Sequence, residues 1–183
     1  MINKKFTLDN YEINSYVREQ GNSLNDIYFS HANGFNALAY SSLIKNIDND
    51  YQIIAYDMRG HGSTTLPAKQ DEMKSWFIYK DDLEKILEIK KTPSILIGHS
   101  MGGKTAMTFD CIYPERVEKL VVVDISPKYY PPHHQEILSG LKAVDHSNLT
   151  SRKDADQILS QYFSESAMRQ FLLKNLYWRS STE

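Results

Sequence analysis

The 183-residue chain has a single cysteine, so it forms no internal disulfide and no cysteine-based metal cluster. Excess charge of one sign is lacking too: 21 Lys and Arg stand against 23 Asp and Glu, for a net charge of -2. That balance removes the electrostatic reason to expect nucleic acid or an anionic membrane as partner. No apolar run approaches the length of a membrane span, and Met1-Ile2-Asn3-Lys4-Lys5-Phe6 runs into polar residues where a secretory leader needs its apolar core. Repeats and low-complexity tracts are absent. These absences predict a soluble cytoplasmic protein that handles a small molecule. What is there, 41% hydrophobic and 11% aromatic residues, is enough to bury the core of one domain with a small appended layer. Cys111 falls in a helical pattern and reads as a small core residue.

Taken in order, residues 4–9 and 11–18 alternate polar and apolar around Asp9-Asn10, the pattern of an antiparallel hairpin at a sheet edge. Ile27-Tyr28-Phe29-Ser30 reads as a short buried strand that runs into the irregular loop His31-Ala32-Asn33-Gly34-Phe35. Tyr40, Leu43, Ile44 and Ile47 recur at helical spacing, and Tyr51–Tyr56 is the next strand, ended by Asp57-Met58-Arg59-Gly60-His61-Gly62-Ser63. A helix follows with Trp76, Tyr79, Leu83, Ile86 and Leu87 as its apolar stripe. Its run Lys80, Asp81, Asp82, Glu84 and Lys85 reads as a solvated face.

Ser94–Ile97 is a β-branched apolar run that stops at Gly98, and a helical pattern is legible from Ala106. Leu120-Val121-Val122-Val123-Asp124 is a further strand whose continuous apolar run implies burial on both faces. Strand and helix alternate throughout, which predicts an α/β architecture with a mostly parallel sheet and flanking helices over residues 1–127. From 128 to 183 three helical patterns follow without a strand, marked by Ile137/Leu141/Val144, Ala155/Ile158/Leu159 and Met168/Phe171/Leu172. They are expected to form a helical lid or cap.

The stretch between that strand and helix satisfies two motifs at once. Gly98 to Thr105 is G-x-x-x-x-G-K-T, a phosphate-cradling loop in which Lys104 would reach phosphates and Thr105 a metal. Gly98 to Gly102 is G-x-S-x-G, the sharp turn that exposes a nucleophilic serine. A serine hydroxyl is a weak nucleophile. It needs a base, a carboxylate to orient the base, and backbone donors for the tetrahedral oxyanion. Helix N-terminal amides supply one donor at Met101. The second comes from a loop after an earlier central strand, where His31–Phe35 lies, so this motif gives the other segments a role that the phosphate loop leaves without one.

The set Ser30–Phe35, Asp57–Ser63, Ile97–Gly103 and Val123-Asp124-Ile125-Ser126-Pro127 resembles, in order, the α/β-hydrolase superfamily, and within it small bacterial esterases of the YbfF type. The resemblance covers about the whole chain. It implies the α/β-hydrolase fold, Ser100 as catalytic nucleophile and Asp124 as the acid that orients a histidine, although Asp124 also reads as a strand-end cap of the next turn. The oxyanion donors it implies are Met101 N–H and either Asn33 N–H or Phe35 N–H, according to whether His31 or Gly34-Phe35 is aligned with the family's loop. The activity implied is cleavage of carboxylic esters or thioesters of small acyl groups through an acyl-enzyme, with no metal and no organic cofactor. Alternatives are a P-loop nucleotide-binding protein and a non-catalytic binding protein of the same fold.

One part of the family pattern is missing. The catalytic histidine follows the acid in this fold, and no histidine follows His146. His31, His61 and His99 belong to the motifs above and read as structural, and His133 and His134 read as exposed. The expectation is a C-terminally truncated hydrolase without its last strands and final helix, inactive as it stands. The Leu120–Asp124 strand would then be an open edge through which copies self-associate.

Overall fold

The computed structural model describes residues 1–8, 11–20, 23, 25–64, 77–88, 92–130, 135–145 and 148–176. The Asp9-Asn10 turn, Trp76, His133, His134 and His146 lie outside the described residues. The strands are β1 (Ile2–Leu8), β2 (Tyr11–Arg18), β3 (Asp26–Ser30), β4 (Gln52–Tyr56), β5 (Ser94–His99) and β6 (Val117–Val123). The helices are α1 (Ser41–Lys45), α2 (Phe77–Leu87), α3 (Met101–Ile112), α4 (Gln135–Asp145), α5 (Arg152–Leu159) and α6 (Ser166–Leu172). The chain divides into two compact units, Met1–Pro127 and Lys128–Glu183.

In the first unit the strands form one sheet in the order β1-β2-β4-β3-β5-β6. β3 runs parallel to β4 and β5, and β5 parallel to β6, while β2 is antiparallel to β1 and β4. The helix after β3 carries the chain to β4 on one side, and α2 then carries it back past β3 to β5 on the other. The carboxyl ends of β3 and β5 therefore flank the point where the winding reverses, the place where open α/β sheets leave a crevice.

Both faces of the central strands are covered, and alternation assigns their residues. Tyr28, Ile54 and Leu96 pack with Leu83, Ile86, Ala106 and Phe109 of α2 and α3. Ile27, Phe29, Ile53, Ala55 and Ile95 pack with Ala37 and Ile44 on the opposite face. Each such side chain contributes about 1.5–3 kcal/mol of transfer free energy. Short α1 is closed by Arg18, whose guanidinium donates to the carbonyls of Ile44 at 3.1 Å and of Ile47, just beyond the helix, at 2.9 Å.

Three sequence expectations are corrected. β6 ends the sheet, the open edge also expected above, so its apolar run is not buried on both faces as its continuity implied: Val121 is 44% and Val123 42% exposed. Cys111 is exposed on the outer side of α3. The charge run on α2 is not a solvated face throughout, because Lys80 and Asp82 are buried. Asp82 receives Arg59 Nε at 2.9 Å and Nη2 at 2.5 Å, and Tyr11 donates to the same carboxylate while its ring lies under the guanidinium. This buried pair fastens the turn after β4 to α2 and the β1–β2 hairpin.

The second unit packs α4, α5 and α6 around Val144, Ala155, Leu159, Leu172 and Leu173. Ser151 caps α5 by accepting from Asp154 N at 3.2 Å. No helix among the described residues is long and apolar enough to cross a membrane.

Removing one partner of a buried ion pair leaves a desolvated charge behind. Asp82→Ala is therefore expected to cost about 3–5 kcal/mol, read as a lower urea midpoint with unchanged far-UV circular dichroism. A loss below about 1 kcal/mol, the range of exposed pairs, would contradict this account of Arg59.

Candidate active site

The turn after β5 is built by steric necessity. Ser100 sits at φ 51° and ψ -111°, a region that costs a non-glycine residue about 1–3 kcal/mol. The helix begins at once, at Met101, five residues earlier than the apolar pattern from Ala106 predicts, because Gly102 and Gly103 hide the first turn from a periodicity count. A Cβ on Gly98 would lie 2.3 Å from the Gly102 carbonyl oxygen, and one on Gly102 only 2.1 Å from that of Ser30. Both approaches are closed to any other residue. Ser100 occupies the N-cap position but its side chain makes no capping bond, so its hydroxyl is not spent on the helix.

Neighbouring strand ends hold this turn through the backbone. Ser100 N–H donates to Val123 O at 3.0 Å, and Gly102 N–H donates to His31 O at 3.1 Å. Thus the ends of β6 and β3 both bond to it, and the predicted site residues line one rim: Asn33 and Phe35 after β3, Ser100 and Met101 after β5, and Asp124 after β6. Asp124 also has a positive φ, 53°, and its side chain is 87% exposed.

The loop after β3 is fixed from several directions. Ala32 N–H donates to Tyr40 Oη at 3.1 Å, and Phe35 N–H turns back to Ala32 O at 3.2 Å. Asn33 contacts His61 Nε2 through Oδ1 at 3.0 Å. The buried Asp57 carboxylate accepts from Ala37 N at 2.8 Å, Ser63 N at 3.0 Å and Asn14 Nδ2 at 3.0 Å, joining this loop to the 57–64 turn and to β2.

The described histidines are all engaged. His31 is fully buried, its Nδ1 2.8 Å from Ala32 O and its Nε2 accepting Met58 N–H at 2.9 Å, so the ring is neutral with its proton on Nδ1. Burial pushes its pKa down to about 4. His61 places Nδ1 3.0 Å from Arg59 O and Nε2 on Asn33, and burial lowers its pKa as well. His99 places Nδ1 2.7 Å from Tyr40 Oη and Nε2 3.8 Å from Asp124 Oδ2.

A model of the α/β-hydrolase fold matches residues 27–164. The chain belongs to the α/β-hydrolase family. Over 142 residues it is 34% identical to esterase YbfF of Escherichia coli (strain K12), covering 75% of this chain and 54% of that protein. Over 157 residues it is 38% identical to the sn-1-specific diacylglycerol lipase ABHD11 of Mus musculus, covering 81% of this chain and 48% of that one. Among solved structures, a marine microorganism esterase superposes with a TM-score of 0.78 at 30% identity, covering 90% of this chain and 64% of the other. The chain thus spans about half the length of the curated relatives it matches.

The geometry of the turn at Ser100 argues against the phosphate-loop alternative. Thr105 is fully buried with Oγ1 donating to Met101 O at 3.1 Å, which turns it away from any metal. Gly98–Thr105 is a strand end and a helix rather than an open cradle. Sequence reasoning missed Tyr40, which reads as one apolar position of a helical stripe, and Asn14 and Asp57, whose partners are 43 positions apart. For Asp57 a signal existed: a Cβ on Gly62 would lie 2.4 Å from its carboxylate, the reason for a glycine there.

A folded histidine with a depressed pKa makes stability fall with pH. Between the ordinary 6.5 and about 4 the unfolded chain binds a proton that His31 in the folded chain refuses. From pH 7.5 to 5 this removes about 2 kcal/mol, and His61 adds in the same direction. Urea midpoints are expected to fall over that window, and His31→Gln, weaker at pH 7.5, should show a shallower slope. Equal slopes in the two proteins would refute the neutral assignment.

Proposed function

We propose that this chain carries the nucleophile, the orienting acid and the oxyanion donors of a serine hydrolase. Its substrates would be carboxylic esters or thioesters of small acyl groups, and its route an acyl-enzyme. The observation that carries the reading is Ser100 at the strained apex of the elbow with its hydroxyl uncommitted to the helix. Ser100 Oγ attacks the carbonyl carbon. Charge that develops on the carbonyl oxygen is met by Met101 N–H, at a helix start where backbone donors lack intrahelical acceptors. Asn33 N–H is the second donor, because Phe35 N–H is already given to Ala32 O and Ala32 N–H to Tyr40. Collapse expels the alcohol or thiol, and water then releases the acyl group. Asp124, at the end of β6, orients the histidine that moves the protons.

That histidine, in this reading, comes from polypeptide outside these 183 residues, in the cytoplasmic protein to which they belong. Support comes from the bonds of His31, His61 and His99, the histidines among the described residues, and from relatives of which the matched stretch is only about half. The residues alone are therefore expected to hydrolyse p-nitrophenyl acetate or butyrate no faster than their Ser100→Ala variant. Forced labelling with excess fluorophosphonate should modify Ser100 slowly and alone. Rapid stoichiometric labelling would show that a base is present, and modification of another serine would remove Ser100 as nucleophile. If Ser100 stays unlabelled while p-nitrophenol or a short-chain acid binds, the chain is a hydrolase-fold binding protein.

Isolated, the same residues are expected to self-associate through β6. Its Val-Glu-Lys-Leu-Val-Val-Val sequence has no proline, and the run Leu120–Val123 carries no charge to block pairing. Val121→Lys should shift the chain toward monomer in sedimentation velocity. An unchanged distribution, or a monomeric parent, would reject the edge as a contact.

A further inference from the structure

The hydrogen bonds around Tyr40 run in one direction. Tyr40 Oη accepts Ala32 N–H at 3.1 Å, and a backbone amide can only donate. The phenol proton is thereby free for its other neighbour, His99 Nδ1, at 2.7 Å. Burial raises the phenol pKa, so that proton is retained across the working range. With Nδ1 accepting, neutral His99 carries its hydrogen on Nε2, the atom that faces Asp124 Oδ2 at 3.8 Å. The opposite tautomer would set a nitrogen lone pair against a carboxylate oxygen and leave the hydroxyl proton unused. The Tyr40 ring also packs on Phe29 of β3, with centroids 4.7 Å apart, which holds the hydroxyl in place.

We propose that Tyr40 and His99 are positioning residues: together they form a directed relay from the loop after β3 to Asp124, passing beside Ser100. The inference rests on the roles given above to that loop and to Asp124. The relay reaches both sides of the nucleophile. At one end it fixes Ala32, the residue before the proposed donor Asn33. At the other its Nε2–H stands 3.8 Å from an exposed carboxylate on a strained residue, an electrostatic contact rather than a hydrogen bond.

Tyr40→Phe removes only the hydroxyl and keeps the ring on Phe29. In uniformly 15N-labelled protein this variant is expected to lose the Nε2–H tautomer of His99, to exchange the Ala32 amide about fivefold to tenfold faster, and to move the backbone amide signals of both Asn33 and Asp124. His99→Gln, which keeps an acceptor for the hydroxyl and a donor for the carboxylate, should preserve the Asp124 signal, whereas His99→Phe should not. An Ala32 response without an Asp124 response would overturn the relay, as would an unchanged tautomer. Phenylboronic acid, which adds to a nucleophilic serine, should bind Tyr40→Phe about fivefold more weakly than the parent. If the parent, lacking the base, does not bind it, the amide signals decide the relay without it, and fluorophosphonate labelling of Ser100 decides the serine-hydrolase reading.

Discussion

The contact on which the first unit depends is the approach of α3 to the end of β3. Gly102 comes so near the Ser30 carbonyl that no side chain fits between them, and its N–H closes the gap on His31 O. Two strands that are neighbours in the sheet but whose paired residues lie 68 positions apart in sequence are locked at their carboxyl ends. The strained Ser100 backbone persists because this lock, and the bond to Val123 O, over-determine it. Strain of about 1–3 kcal/mol is small beside the burial on both faces of β3 and β5, so the fold can hold a serine in a conformation that a free peptide would leave.

Around the lock, polar groups have been taken out of water and every one of them has been used. His31 spans Ala32 and Met58 with both nitrogens, and Asp57 gathers three donors from three segments. Such networks tie loops to strands only when fully satisfied. Their effect is to make the loop after β3 an extension of the sheet rather than a loose connection. A donor that must meet charge only in a transition state needs that stiffness, because reorganising it during the reaction would return the free energy it contributes.

Much of this was legible in the residues. Alternating strand and helix patterns, the hairpin, three helices after residue 128 and the serine turn all follow from periodicity and glycine placement, and the structure has them. The illegible part was pairing at long range. Lys80 and Asp82 look solvated because charge runs on helices usually are, and only the fold brings Arg59 to Asp82. Leu120–Val123 looks buried because apolarity does not tell an interior strand from one at the end of a sheet. Phe35 and Asn33 are equal candidates in the sequence, and only the fold shows the Phe35 amide donating to Ala32 O. Tyr40 was invisible as a polar residue, since its ring satisfies a helical stripe and only its hydroxyl does something else.

Cys111 was expected in the core and is on the surface instead, in the last turn of the helix that starts beside Ser100. Eleven residues of helix place it about 16 Å along the axis from Ser100. Since it is the sequence's one thiol, a fluorophore or spin label can be attached there with no background and no prior mutagenesis. The helix that follows Ser100 thus comes with its own reporter position, at a spacing suited to distance measurements against a probe bound at that serine.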